Sequence, residues 1–227
     1  ITEEKNAEGK WKAVRIFDAN SLEMWLEYCP AVSAWLAELM GKPYRNIYDL
    51  GVYWKRQSSG TNPNLTTDFF THARTPVLGQ ILRLIDAGST QIILVGESSM
   101  EAILTLAAEL ESAEKMEHAC LKARCVVVDK QEAYLEAAQN CVDAILIPLF
   151  YPESGVFASH RGVVLIPVCK YDPLDLMYKT ENRVEIPSRS RHEFCAALEE
   201  LGYETNDAHR MGTDLRCKFN ALYRRIT

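Results

Sequence analysis

The stretch 91–102, QIILVGESSMEA, passes from an apolar run into a helical pattern through Gly96, Glu97, Ser98 and Ser99. A glycine turn between a strand and a helix can do three things. It can cradle a phosphate, present a nucleophile, or simply cap the helix. A phosphate cradle of the G-x-x-x-x-G-K-[ST] kind needs glycines that let backbone amides surround the anion, a lysine that neutralises it and a hydroxyl for Mg²⁺. Here Gly96 stands alone, the next basic residue along the chain is Lys115, and Glu97 opposes an anion. A nucleophile elbow reads G-x-S-x-G. Gly96-Glu97-Ser98 supplies its first half, but Met100 occupies the closing glycine position, and of the downstream histidines only His160 falls in a post-strand loop. The third reading uses the residues best. Ser98 caps the following helix and Glu101, three residues on, completes a capping box. Only Glu97 is then unexplained.

Other side chains could carry chemistry. Asp129 ends the run CVVVD, where an acid can hold Mg²⁺ through water or cap the next helix, and the cap is the simpler expectation. His160 and Arg161 could line a ligand cleft, with a solvated loop as the default. Asp172 and Asp175 read as turn and cap residues. Arg216, Lys218, Arg224 and Arg225 make the last helix basic, as its dipole favours, and suggest a nucleic-acid patch only weakly.

The elements that position these residues follow from periodicity. WKAVRIF (11–17) predicts a strand. After it, Asn20 or Ser21 can cap a helix that Pro30 breaks, and whose stripe of Leu22, Trp25 and Leu26 resumes at Val32, Trp35, Leu36 and Leu39. Trp25 and Trp35 lie at helical spacing among leucines, which predicts core packing. QSSGTNPN (57–64) has a linker's composition. Beyond it, a helix over 75–88 leads into alternating strands and helices. The strands are 91–95, 124–128, 144–150 and 163–168, with a further one at 183–187. Near-continuous Val, Ile and Leu strands separated by helices predict an α/β fold, a three-layer parallel sheet of about five strands with helices on both faces. Ser190 and Glu193 then open a helix closed by Gly202, and shorter helices at 206–211 and 213–226 complete a small helical subdomain.

The bulk composition narrows the class. The chain has 227 residues, 48% hydrophobic, with a formal net charge of -6, so one substantial core is within reach and neither nucleic acid nor a membrane is favoured by charge. No apolar run approaches the ~18 residues of a membrane span. Seven scattered cysteines without a C-x-x-C pair predict reduced thiols in a cytoplasmic protein, with no zinc site or disulfide framework. With Ile1 at its start, the chain reads as a piece of a longer polypeptide.

Two stretches together carry a resemblance. DANSLEMWLEYCPAVSAWLAELMGK resembles a junction helix of large multidomain bacterial proteins that begin with a restriction-endonuclease-like domain and continue into a STAND- or AAA+-like NTPase, often thought to act in defence against foreign DNA. QIILVGESSMEA, RCVVVDK, DAILIPLF and VVLIPV are similar to the NTPase core of those proteins, and the segment from HEFCAALEELGYE onwards to its helical lid. The resemblance implies the end of a preceding domain plus a connector at 1–56, a linker at 57–74, a degenerate P-loop-like core at 75–187 and a lid at 188–227. Only Gly96, Ser98, Ser99 and Asp129 match the family's nucleotide-binding positions. The phosphate lysine is missing, so the implied cofactor is at most weakly held ATP with Mg²⁺. The expected role is regulatory, sensing or assembly, with an NTPase using Arg74 or Arg161 as phosphate ligands, or a serine hydrolase through Ser98, as alternatives. Expected partners are the other domains of the parent protein and further copies of the chain, with nucleic acid reached only through the parent.

Overall fold

The computed structural model describes residues 18–60, 64–71, 76–141, 143–150, 160–170 and 182–210. Six strands form one sheet: β1 (Ile47–Asp49), β2 (Gln91–Gly96), β3 (Cys125–Val128), β4 (Ile145–Pro148), β5 (Val163–Cys169) and β6 (Arg183–Glu185). Their order across the sheet is β1-β3-β4-β5-β2-β6, parallel throughout except that β1 runs antiparallel to β3. The α/β expectation is met, with β1 as an additional edge strand. Three residues long and polar at Asp49, β1 has too little pattern of its own to be read as a strand.

Period-two alternation sends each central strand's side chains into two separate cores. Ile92, Leu94, Val127 and Leu165 pack with α3 (Leu50–Ser59), α4 (Thr67–Thr71), α5 (Leu78–Asp86), α6 (Ser99–Glu111) and α9 (Arg191–Glu200). Ile93, Val95, Val126 and Ile166 pack against Ala133, Tyr134, Ala137 and Ala138 of α8 (Gln131–Asn140). Helices therefore cover both faces, which is why both sets of alternating positions are apolar.

Some elements depart from the sequence reading. The stretch 57–74, linker-like in composition, contains the last turn of α3 with Ser58 buried, and also α4, whose Phe69 and Phe70 enter the core. Phe69 meets Phe70 and Phe194 edge-on, so α4 belongs with α9 rather than between domains. The helix expected over 98–116 ends at Glu111, and residues 112–115 separate it from a further helix, α7 (Met116–Lys122), that was not expected. The strand expected at 11–17 and the helix at 213–226 lie outside the described residues.

The N-terminal helices α1 (Ala19–Tyr28) and α2 (Pro30–Leu39) meet at Pro30, which takes the first position of α2 as its missing N–H allows. Asp18, not Asn20 or Ser21, caps α1 by accepting from the Ser21 N–H at 2.7 Å. The core role expected of Trp25 and Trp35 is overturned. They are 47% and 45% exposed, and α1 has no buried residue at all. Helical spacing defines a stripe but not what lies opposite it: Leu26, Val32 and Leu36 are half-buried, while Leu22, Trp25, Trp35 and Leu39 are left exposed. No helix among the described residues is long and apolar enough to cross a membrane.

Candidate functional site

The connection from β2 to β3 passes beyond β5 and β4, whereas every later connection returns the other way. The strand order thus reverses beside β2, and parallel α/β sheets bind ligands outside the carboxyl ends of strands at such a point. Gly96 and Cys169 are registered neighbours there.

The turn is closed by its own chain. A Cβ on Gly96 would lie 2.9 Å from the Ser98 carbonyl oxygen and 3.2 Å from the Ala102 nitrogen, so glycine is required by the close approach of α6. Ser98 is 2% exposed, and its Oγ accepts from the Glu101 N–H at 3.0 Å. The Glu101 carboxylate reaches back to the Glu97 N–H at 2.9 Å, one residue earlier than the expected capping box would place it. The Cys169 thiol donates to the Glu97 carbonyl at 3.1 Å, and the Lys170 N–H to that of Gly96 at 2.8 Å. Ser99, the first residue of α6, is partly exposed. The first amides of α6 and its dipole still favour an anion, but the turn brings no cation to it.

Lys170 supplies what the sequence reading missed. This exposed lysine follows β5 and sits beside Gly96 through that backbone bond. Nothing marks it along the chain, because β5 becomes a neighbour of β2 only through the sheet order.

The base expected for the elbow, His160, is not at the turn. Met100, at the closing position, accepts the Tyr53 hydroxyl on its sulfur at 3.1 Å. His160 precedes β5, placing it at the amino edge of the sheet, roughly 20 Å of strand from Ser98. Nor is it a solvated loop residue. It is 6% exposed, with Nε2 2.9 Å from the Ala144 carbonyl and Nδ1 3.5 Å from that of Ala138, and so ties α8 to the start of β4. Arg161 shares that amino edge, away from the turn. Arg74, Asp172, Asp175, Arg216, Lys218, Arg224 and Arg225 lie outside the described residues.

Asp129 lies at the carboxyl edge, but three strand spacings separate β3 from β2, roughly 14 Å. Gly96, Ser98 and Ser99 are therefore brought together and Asp129 is not. Its expected capping role also fails, since Lys130 is the first-cap residue of α8. Asp129 instead accepts from the Tyr48 hydroxyl at 3.2 Å, while its N–H donates to the Asn46 carbonyl at 3.1 Å. Arg56 lies 4.9 Å over the Tyr48 ring and pairs with Glu38 at 2.7 Å. Burial first, then the Asp129 charge, pushes the Tyr48 hydroxyl above its ordinary range. The group pins β1 to β3, with the other Asp129 carboxyl oxygen buried and unpartnered among the described residues.

Among the described residues no group of His, Cys, Asp and Glu could hold a metal ion. No protein-family model, curated protein or solved structure matches this chain.

Proposed function

We propose that the chain is a non-catalytic, regulatory module of a larger bacterial protein, in which a degenerate nucleotide-binding fold serves sensing or assembly. The observation that carries this reading is the apolar surface of α1 and α2, where Met24, Trp25, Tyr28, Trp35, Leu39 and Met40 are exposed within two consecutive helices. Several large apolar side chains exposed close together along the chain are what interaction sites present, and indole rings are favoured anchors in them. The turn at Gly96 supports the same reading, because its serine is spent on capping and its open space is filled by α6. A sheet that keeps the parallel architecture without the phosphate lysine suits a domain that relays contacts between neighbours.

Lys170 favours a second reading, an NTPase with an unconventional phosphate ligand, since its backbone N–H is bonded to Gly96 and sets this exposed lysine beside the turn. Calorimetric titration of the chain with ATP and ADP, with and without Mg²⁺, separates the two. The regulatory reading expects no turnover and at most millimolar affinity. Micromolar binding that Lys170→Ala abolishes, accompanied by hydrolysis, would replace it with the second.

A further inference from the structure

Cys29 and Cys120 stand far apart in the chain, and the fold brings both towards the amino end of β3. Cys29 is the single residue between α1 and α2, with a non-helical φ of -123° and ψ of 66°. The helix that follows it, α2, packs on β1 and β3. Pro30, the next residue, lines a cleft together with Val126, the second residue of β3, and Cys141. The Cys141 carbonyl accepts from the Ala144 N–H just before β4, whose first residue pairs with Cys125 at the amino end of β3. Cys120 approaches the same end from the other side, since α7 ends at Lys122 and β3 begins at Cys125.

Their environments set these two thiols apart. Cys29 is half-buried and Cys120 is exposed, whereas Cys125 and Cys195 are buried. Burial first, then the charge of Cys120, pushes the Cys29 thiol above its ordinary value of 9.0, so each sulfur lies within reach of the other's charge. Cys141 shares the edge, but burial alone raises its thiol.

We propose that Cys29 and Cys120 are a redox-active pair that closes as a reversible disulfide and clamps the joint between α1 and α2 to α7. The oxidant is a small-molecule disulfide of the glutathione disulfide class. The exposed Cys120, as its thiolate, attacks one sulfur of that disulfide and displaces the other as a thiolate, leaving a mixed disulfide. Cys29 then gives up its proton and attacks the Cys120 sulfur, displacing the second small thiolate. Two protein thiols are oxidised, one small disulfide is reduced to two thiols, and the protons pass to them. Closure needs the two Cα atoms within about 7 Å. Because α1 buries no residue, no core contact of that helix resists the adjustment. The bridge fixes how the exposed side chains of α1 are held against the sheet, and reduction releases them. This inference is independent of the function proposed above, and it holds whether or not the turn at Gly96 binds nucleotide.

The test places the reduced chain, dilute, in a buffer of glutathione and glutathione disulfide, followed by acid quenching and non-reducing peptide mapping. A peptide joining Cys29 to Cys120 should appear in the monomer and vanish with dithiothreitol, while Cys125 and Cys195 stay free. Cys29→Ser should lose that peptide and trap Cys120 as its glutathione adduct. Absence of the linked peptide from the unsubstituted chain, or a link from Cys29 to Cys141 or to a second chain in its place, would overturn the pair. Should Cys125 and Cys195 also oxidise, the chain has opened, and dibromobimane on the reduced folded chain decides instead, because its fluorescence develops when it bridges two neighbouring thiols. Bridging that is lost in both Cys29→Ser and Cys120→Ser supports the pair. Bridging that survives either substitution, or none at all, overturns it.

Discussion

The two faces of the sheet are finished differently. On the face bearing α3, α4, α5, α6 and α9, large side chains pack together around a buried carboxylate whose partners are in place. Glu109, buried in the last turn of α6, accepts from the Val77 and Leu78 N–H groups at 3.0 and 2.9 Å and so takes the place of a cap for α5. On the other face, α8 contributes mainly alanines and Tyr134 to the core. Beside it stands α1, which buries nothing and borders an acid-rimmed cleft. The first face is a completed core in which substitutions are felt as stability. On the second, α1 buries no residue, so substitutions of its exposed side chains should leave stability nearly unchanged. The turn at Gly96 belongs to the first kind, despite standing where such sheets bind ligands.

That contrast can be broken or sharpened experimentally, beginning with both cores at once. Burial pushes the Cys125 thiol up to about 12 from an ordinary value of 9.0, and the Tyr134 hydroxyl up to about 12 from 10.0. Because the folded values are the higher ones, the folded chain holds more protons. The stability they contribute is complete below pH 9 and is lost as pH rises through about 12. Circular dichroism against pH should show cooperative alkaline unfolding in that window, and Cys125→Ala/Tyr134→Phe should move it upward. On the finished face, Glu109→Leu leaves two buried amides without their acceptor, at a cost of roughly 3 kcal/mol. The urea midpoint should fall accordingly, and an unchanged midpoint would mean that those amides find water.

Gly96→Ala forces a methyl group against the Ser98 carbonyl and Ala102 and should destabilise by about 1–3 kcal/mol. A neutral result would show the turn to be looser than a closed cap. Ser98→Ala should remove about 1 kcal/mol, the ordinary worth of a helix cap, and leave any nucleotide response of the folded chain intact. The smallest effect on stability is expected on α1 and α2. Trp25→Ser/Trp35→Ser should stay within about 0.5 kcal/mol of the parent chain, yet weaken any association seen by sedimentation. A large stability loss there would place the indoles in a core after all.

Local signals carried much of the fold into view. Ser190 and Glu193 form the reciprocal capping box that their spacing announces, with Oγ accepting from the Glu193 N–H and the carboxylate accepting from the Ser190 N–H. The turns at Gly41, Gly88 and Gly202 adopt the positive φ for which glycine is suited. Parts of the candidate site were legible in the same way: Ser98 as a cap follows from its spacing of three from Glu101. Glu109 was not, because an acid in LTLAAELE looks like a solvated position until α5 is known to begin against it. Lys170, His160 and the pairing of Tyr48 with Asp129 escaped for the same reason, since each depends on a partner far along the chain.

By itself, then, the amino-acid order determined that strands buried on both faces would alternate with helices, and where most helices begin and stop. Those outcomes depend on side-chain periodicity and on hydrogen bonds within a few residues. Only the tertiary structure decided that β2 lies between β5 and β6, that β1 closes the edge against β3, that Asp129 faces Tyr48 rather than the turn, and that Trp25 and Trp35 meet no core. Each of these is a choice of neighbour. A side chain's neighbour is selected by how whole layers close around buried area, which no short window of sequence contains.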